Sequence, residues 1–324
     1  MEKVTVVIPN YNGIEYLKEC LKSLEKQNFR EFSVLIVDNH SQDGSPEYVK
    51  EHYPKIRLYE MDKNYGFSIA VNKGIRESRT PYVILLNNDT VTEADYVGEL
   101  YRHISRSKKI FSVSSKMVSY HDRNLMDDAG DLYSVAGWAF QRGIGQPAEN
   151  FDQPCEVFSA CAGAAIYRRS VFKKIGLFDE LHFAYLEDID VGYRARIAGY
   201  RNEYCPTAVV YHVGSATSGS KYNEFKVRLA ARNSVYLNYK NMPDWQLVLN
   251  AIPLCAGLLV KYLFFCRMGF GGTYREGIAE GFRTLDRCRR VPFKKKNLGN
   301  YFLIELELIK NTFLYMKDYM ERHR

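Results

Sequence analysis

At 324 residues, 46% hydrophobic and 26% charged, the chain is long enough for one large domain or a domain with an appendage, and too apolar to be disordered. The formal net charge of +7 is uneven: residues from Lys261 onward carry 14 Lys+Arg against 7 Asp+Glu, while residues 1–260 balance at 31 against 31. A basic tail suits an anionic membrane surface or an anionic polymer; no helix-turn-helix, RNA-binding or zinc-finger pattern accompanies it, which argues against nucleic acid.

The first 90 residues alternate between two periods. VTVVIP (4–9) reads as a strand with no signal-peptide pattern before it, and Leu17, Cys20, Leu21 and Leu24 then mark one face of a helix. FSVLIVDN (32–39), IRLYEM (56–61) and YVILLNN (82–88) read as strands, separated by helices near 45–53 and 67–77. Apolar strands alternating with helices predict an α/β fold: a mostly parallel, Rossmann-like sheet with helices on both faces. Further on, FSVSSKMVSY alternates like a half-exposed strand, and residues 121–155, rich in Asp, Gly and Asn, read as a long loop. CAGAAIYRRSVF returns to a strand entering a helix, EDIDVGYRARIAGY (187–200) is helical, CPTAVVYH (205–212) is a strand, and a helix covers about 222–240. Beyond it, WQLVLNAIPLCAGLLVKYLFFC (245–266) is strongly apolar, but its longest charge-free run, Trp245 to Val260, is 16 residues, short of the roughly 18–20 that span a bilayer. A basic cluster follows, Arg283, Arg287, Arg289, Arg290 and Lys294 to Lys296, and then a last helix with Phe302, Leu306, Ile309, Phe313 and Met320 on one face. The seven cysteines (20, 155, 161, 205, 255, 266, 288) form no CxxC pair, so reduced thiols in a cytosolic setting are expected.

Each early strand ends in polar residues: Asn10, Tyr11 and Asn12; Asp38 and Asn39; Asn64 and Gly66; Asn87, Asn88 and Asp89. Parallel sheets bind ligands in the crevice at these ends. PNYNGIEY after the first strand lacks GxGxxG, and no GxxxxGK[ST] occurs, so no glycine-rich helix start holds phosphates. A divalent cation is the other way to hold a diphosphate; Asp89 offers charge and Asn88 a neutral oxygen to Mg²⁺ or Mn²⁺.

VVIPNYNG, VDNHSQDGS, NYGFSIAVNKGI, LLNNDT and FDELHFAYLEDIDVGYRARIAGYR occur in the order seen in glycosyltransferase family 2, and over residues 3–240 the chain resembles its bacterial rhamnosyltransferase-like branch. The resemblance implies a GT-A fold, a nucleotide-sugar donor and inverting transfer. It implies that Pro9 and Tyr11 shape the nucleotide pocket, that Asp38 bonds base or ribose, and that Asn64, Gly66 and Asn72 line the donor site. Asn88 and Asp89 stand where the family carries its acidic metal motif, with amides at 87 and 88 as a departure, and His212 matches a late histidine ligand. Asp188, preceded by Glu187, matches the catalytic base, a carboxylate that takes the acceptor hydroxyl proton. Trp138, His182, Phe183 and Tyr185 fall near loops expected to face the acceptor.

Other readings stand beside these. Acids at 187 and 188 suit a helix N-terminus, Asp190 and Arg194 read as a surface i, i+4 salt bridge, and Asp38 can cap a turn. The expected organisation is a catalytic domain over 1–240, its nucleotide-sugar half about 1–110 and its acceptor half about 111–240, with a helical, membrane-associating region over 241–324. The expected function is transfer from a UDP- or dTDP-sugar, dTDP-rhamnose first, to a lipid-linked cell-surface glycan on the cytoplasmic membrane face. The rivals are a sugar nucleotidyltransferase and a non-catalytic carbohydrate-binding or scaffold subunit. A homo-oligomer is left open.

Overall fold

A computed structural model describes residues 2–214 and 222–322. The first part runs β1 (Val4–Asn10), α1 (Ile14–Glu25), β2 (Phe32–Asp38), α2 (Ser45–His52), β3 (Arg57–Glu60), α3 (Phe67–Glu77) and β4 (Tyr82–Leu86), following the predicted alternation. Next come β5 (Thr90–Thr92), α4 (Tyr96–Ser105), β6 (Ile110–Ser119), β7 (Met126–Asp128), β8 (Asp131–Tyr133), β9 (Ala139–Gln141), β10 (Cys155–Val157), β11 (Ala164–Arg168), α5 (Arg169–Ile175), α6 (Glu187–Ile197), β12 (Arg201–His212) and α7 (Glu224–Asn241). Four helices close the described chain: α8 (Asp244–Leu249), α9 (Ala251–Arg267), α10 (Gly271–Arg283) and α11 (Leu298–Arg322).

One mixed sheet forms the centre, in the order β10-β12-β6-β11-β4-β1-β2-β3. β1 pairs in parallel with β2 and β4, β2 with β3, and β6 with β12, while β11 runs against both β4 and β6. Strand order reverses between β1 and β4, so their C-terminal ends open a crevice at the sheet edge. Two apolar clusters cover the two faces: Leu17, Leu21, Leu24 and Leu100 on one, Val71, Ile75, Phe172 and Val191 on the other.

Two expectations change. Residues 121–155 are not one long loop: they hold β7, a β8–β9 hairpin, a 3₁₀ turn at Ala148–Phe151 and β10. These strands are three residues each, too short for a period of two to register. β6 is buried from Ile110 to Val118 rather than half exposed. Two of its serines are satisfied internally, Ser112 Oγ donating to Asn202 Oδ1 at 2.8 Å and Ser115 Oγ to the Ala164 carbonyl at 2.6 Å, while Ser114 Oγ is buried without a partner, so alternation of polarity does not mean alternation of exposure.

The C-terminal helices pack on the 111–240 half. On α11, Tyr301, Ile304 and Leu308 join a core with Tyr133, Phe158, Ile189 and Tyr193. α10 crosses α7 at Gly277 and Gly281, where a Cβ would stand 2.5 Å from the Arg228 carbonyl oxygen and 2.8 Å from Val235 Cβ. The opposite face of α11, bearing Phe302, Leu306, Ile309 and Phe313, is exposed, and so is most of α9, with Ile252 at 83%. No helix among the described residues is long and apolar enough to cross a membrane.

Candidate functional site

The crevice floor begins as an amide–carboxylate network at three strand ends. Asn10 Nδ2 donates to Asp38 Oδ1 at 2.8 Å, and Asn88 Nδ2 donates to Asn10 Oδ1 at 2.8 Å and to the Asn12 carbonyl at 2.9 Å. Ser41 closes it, its Oγ donating to Asp38 Oδ1 at 2.6 Å and its N–H to Oδ2 at 2.9 Å. Asn88 thus locks the end of β4 to the turn after β1. Beside it, Asn39 Nδ2 donates to Asn64 Oδ1 at 2.9 Å, and Asn64 Oδ1 accepts also from Gly66 N–H at 2.9 Å. Pro9 is the penultimate residue of β1, and Tyr11, 38% exposed, stands at the crevice mouth.

Asp89 is placed by strand register. β5 pairs antiparallel with β12 so that Thr90 opposes His212, which sets Asp89 Oδ1 3.3 Å from His212 Nε2. β7 brings Asp127 to the other ring nitrogen, Oδ2 to Nδ1 at 2.7 Å. Burial pushes the imidazole pKa down, but the hydrogen bonds to Asp127 and Asp89 outweigh it and raise it to about 10. Without an ion this is an imidazolium held between two carboxylates; once Nε2 gives up its proton, Asp89 and His212, with Asp127 behind the ring on Nδ1, make a donor set that fits a divalent cation.

A second acidic group lies next to the first. Asp188 Oδ1 accepts from Ile189 N–H at 2.8 Å, and Oδ2 lies 3.5 Å from Ala162 N. Burial raises the Asp188 pKa. Burial and the Asp188 charge raise Glu187 to about 8, and burial with the charges of Asp127 and Asp188 raises Asp128 to about 8. Asp128, Asp131 and Cys161 bring atoms within 4.8 Å of one another, and Asp128 Oδ2 and Asp131 Oδ2 are buried with no hydrogen-bond partner. The 161–163 turn links the two groups: Ala162 N lies 3.5 Å from Asp188 Oδ2, and the Gly163 carbonyl accepts from Asn87 N–H at 2.8 Å, two residues before Asp89. Asp127, Asp128 and Asp131 escaped the sequence reading; the signal was there in MDDAGD, three acids inside a stretch read as loop.

Four sequence expectations are corrected. Asn72 is 1% exposed, and its amide is engaged by Phe178 N–H and C=O at 3.0 and 2.8 Å and by Glu180, so it ties α3 to that segment instead of lining the donor site. His182 is fully buried, with both ring nitrogens unpartnered and burial lowering its pKa to about 4, so it presents no face to an acceptor. Trp138 Nε1 donates to the Gly257 carbonyl at 3.1 Å and its ring meets Tyr315 edge-on, which makes it a contact to the C-terminal helices. Asp190 and Arg194 are not a surface pair: Asp190 is 0% exposed and Arg194 6%. Tyr185 lies in the loop that leads into α6, with φ 71.

Comparison with known proteins bears on the family and the fold. The family model described as Glycosyl transferase family 2 matches residues 5–176. The N-acetylglucosaminyl-diphospho-decaprenol L-rhamnosyltransferase of Mycobacterium tuberculosis (strain ATCC 25618 / H37Rv) is 29% identical over 237 residues, 66% of this chain and 77% of that protein. Among solved structures, GalNAc-T7 with UDP, GalNAc and Mn²⁺ superposes with a TM-score of 0.60 at 14% identity, covering 74% of this chain and 48% of that one. The mannosyltransferase PcManGT from Pyrobaculum calidifontis, in complex with GDP-Man and Mn²⁺, gives 0.54 at 18% identity over 87% of each chain. At these identities the structures speak to the fold alone, which they share.

Proposed function

The chain belongs to glycosyl transferase family 2 and is a glycosyltransferase, and we propose that it moves a sugar from a UDP- or dTDP-sugar to a hydroxyl of a lipid-linked cell-surface glycan, with inversion. The observation that carries this reading is the Asp89–His212 pair, 3.3 Å apart beside the strand ends, with Asp188 at the start of α6 reaching the 161–163 turn that pairs with the residue after β4. The rhamnosyltransferase named above supports dTDP-rhamnose as the first donor to try and an N-acetylglucosaminyl-diphosphoprenol as the first acceptor.

In this reading Asp38, Pro9 and Tyr11 bind the nucleoside, and Asn64 and Gly66 border the sugar. Asp89 and His212 would hold a Mg²⁺ or Mn²⁺ ion, with Asn88 beside them; when bound, the ion neutralises charge on the departing nucleoside diphosphate. Asp188 accepts the acceptor hydroxyl proton as that oxygen attacks the anomeric carbon from the face opposite the leaving group, which inverts the centre. Its raised pKa suits a base, since proton transfer is efficient when the base titrates nearer the working pH. Glu187, held largely neutral at pH 7, adds no second charge beside it. Residues 1–240 form the catalytic unit, and 241–324 attach it to the cytoplasmic membrane face through the exposed apolar sides of α9 and α11 and the basic cluster at 283–296.

The test is release of nucleoside diphosphate from a panel of UDP-, dTDP- and GDP-sugars, with Mg²⁺ or Mn²⁺ or chelator, with and without the prenyl-linked acceptor. Metal-dependent release from one donor, lost in Asp89→Ala, and acceptor-dependent transfer reduced about 10²–10⁴-fold in Asp188→Asn, are expected. Release from no donor, with no thermal stabilisation by any nucleotide, would favour a non-catalytic binding subunit.

A further inference from the structure

The segment before Asp188 concentrates backbone strain. Three of the five non-glycine residues with positive φ among the described residues lie here: Phe183, Tyr185 and Leu186 at 62°, 71° and 66°. Phe183, with ψ −61, and an Ala184 N–H bond to the His182 carbonyl at 2.7 Å form a γ-turn of the strained, non-inverse kind. None of these residues is of the types that tolerate such conformations, so the surroundings must hold them.

One side chain does most of the holding. Asn233 of α7, fully buried, directs its Nδ2 at three carbonyls: His182 at 3.0 Å, Ala184 at 2.9 Å and Tyr185 at 2.8 Å. Arg232 Nε donates to Asn233 Oδ1 at 3.1 Å, which decides which end of the amide faces the loop. Arg232 Nη2 reaches the Leu181 and His182 carbonyls at 3.0 and 3.1 Å, and its Nη1 is tied to Glu280 of α10 at 3.3 Å. The loop then feeds straight into α6, where the Leu186 carbonyl accepts from Asp190 N–H at 3.0 Å, with Asp188 between them.

We infer that Asn233, oriented by Arg232, is a positioning residue for Asp188: it fixes the strained 182–186 backbone and through it the direction of the carboxylate. This rests on the reading of Asp188 as the base. The amide is required because three acceptors need a donor; a carboxylate of the same shape has none to give.

Full-length Asn233→Ala, Asn233→Asp, Arg232→Lys and Asp188→Asn proteins provide the test. In Asn233→Ala, amides of residues 181–190 should exchange hydrogen at least about tenfold faster while those of 4–38 keep wild-type rates. Turnover with the prenyl-linked acceptor should fall at least about tenfold, with donor KM and the thermal shift given by UDP or dTDP plus Mn²⁺ within about twofold of wild type. Asn233→Asp should match Ala, and Arg232→Lys should fall between. Unchanged exchange at 181–190 overturns the inference, as does full turnover in Asn233→Ala when Asp188→Asn is inactive. Wild-type turnover in Asp188→Asn removes the base itself and the inference with it. If Asn233→Ala does not fold, Arg232→Lys carries both measurements.

Discussion

Replacing Asp190 by Asn tests how deeply the base helix is anchored. The Asp190 carboxylate is fully buried and receives four hydrogen bonds: Arg194 Nε at 3.0 Å, Arg194 Nη2 at 2.6 Å, Lys240 Nζ at 2.9 Å and Asn241 Nδ2 at 2.9 Å. Breaking a buried ion pair from one side costs about 3–5 kcal/mol, because the partner charge stays buried. Here two features hold the loss to the low end. Arg194 keeps the carbonyls of Ile175, Gly176 and Leu177 at 2.6, 3.0 and 2.7 Å, and Lys240 keeps Asp179 at 2.6 Å. About 3 kcal/mol is therefore expected, against about 0–1 kcal/mol for a solvent-exposed pair. With an unfolding entropy of about 2.1 cal/mol/K per residue over 324 residues, that is a fall in Tm of about 4 °C. The assay is thermal and urea unfolding between pH 3.5 and 9. Burial opposes ionisation of Asp190, but the charges of Arg194 and Lys240 outweigh it and hold the carboxyl well below its usual range. A depressed carboxyl pKa stabilises the fold above its unfolded value near 4 and loses that contribution as pH falls toward the folded value. The gap between wild type and Asp190→Asn should thus be constant from pH 6 to 9 and narrow below about 4. A shift under about 1 °C, or a gap that closes between pH 6 and 8, would refute the argument.

Gly66→Ala should lower donor turnover about tenfold or more and cost about 1–3 kcal/mol, since φ is +85° and a Cβ would come 2.6 Å from the Phe183 ring; wild-type activity and Tm would mean that Phe183 yields freely. His103 is buried, which lowers its pKa, yet hydrogen bonds to Cys205 and Glu203 raise it to about 9. A raised folded pKa gives stability that is complete below about 6.5 and lost as pH rises through about 9, so His103→Gln should cost about 1–2 kcal/mol at pH 6 and little at pH 10, read from urea midpoints at each pH. Phe302→Ser with Phe313→Ser should reduce flotation with vesicles containing anionic lipid about tenfold while leaving unfolding midpoints within about 0.5 kcal/mol, because these side chains are 54% and 67% exposed; equal flotation would end the membrane reading of α11.

Much of the fold was legible from residue order. The alternation of VTVVIP, FSVLIVDN, IRLYEM and YVILLNN with helical spacing announced the parallel sheet, and the polar residues closing each strand announced the crevice, since burial on both faces leaves only the strand ends for polar groups. The five ordered motifs also identified the family. Three-residue strands such as β7 and β8 were not legible, because so few residues cannot show a period, and with them went Asp127, Asp128 and Asp131. The spacing of Asp190 and Arg194 was visible, but not that α7 and its Lys240 would cover them; nor could His182 be seen to lie under that same cover.

Which residue types stand at the ends of which strands follows from residue order, because side-chain order along one element decides its period and its capping. Their company comes from packing. Asp89 meets His212 because β5 pairs with β12 in one register, and the 182–186 carbonyls meet Asn233 because α7 packs against that loop. Those meetings depend on how remote elements pack, which no local pattern contains.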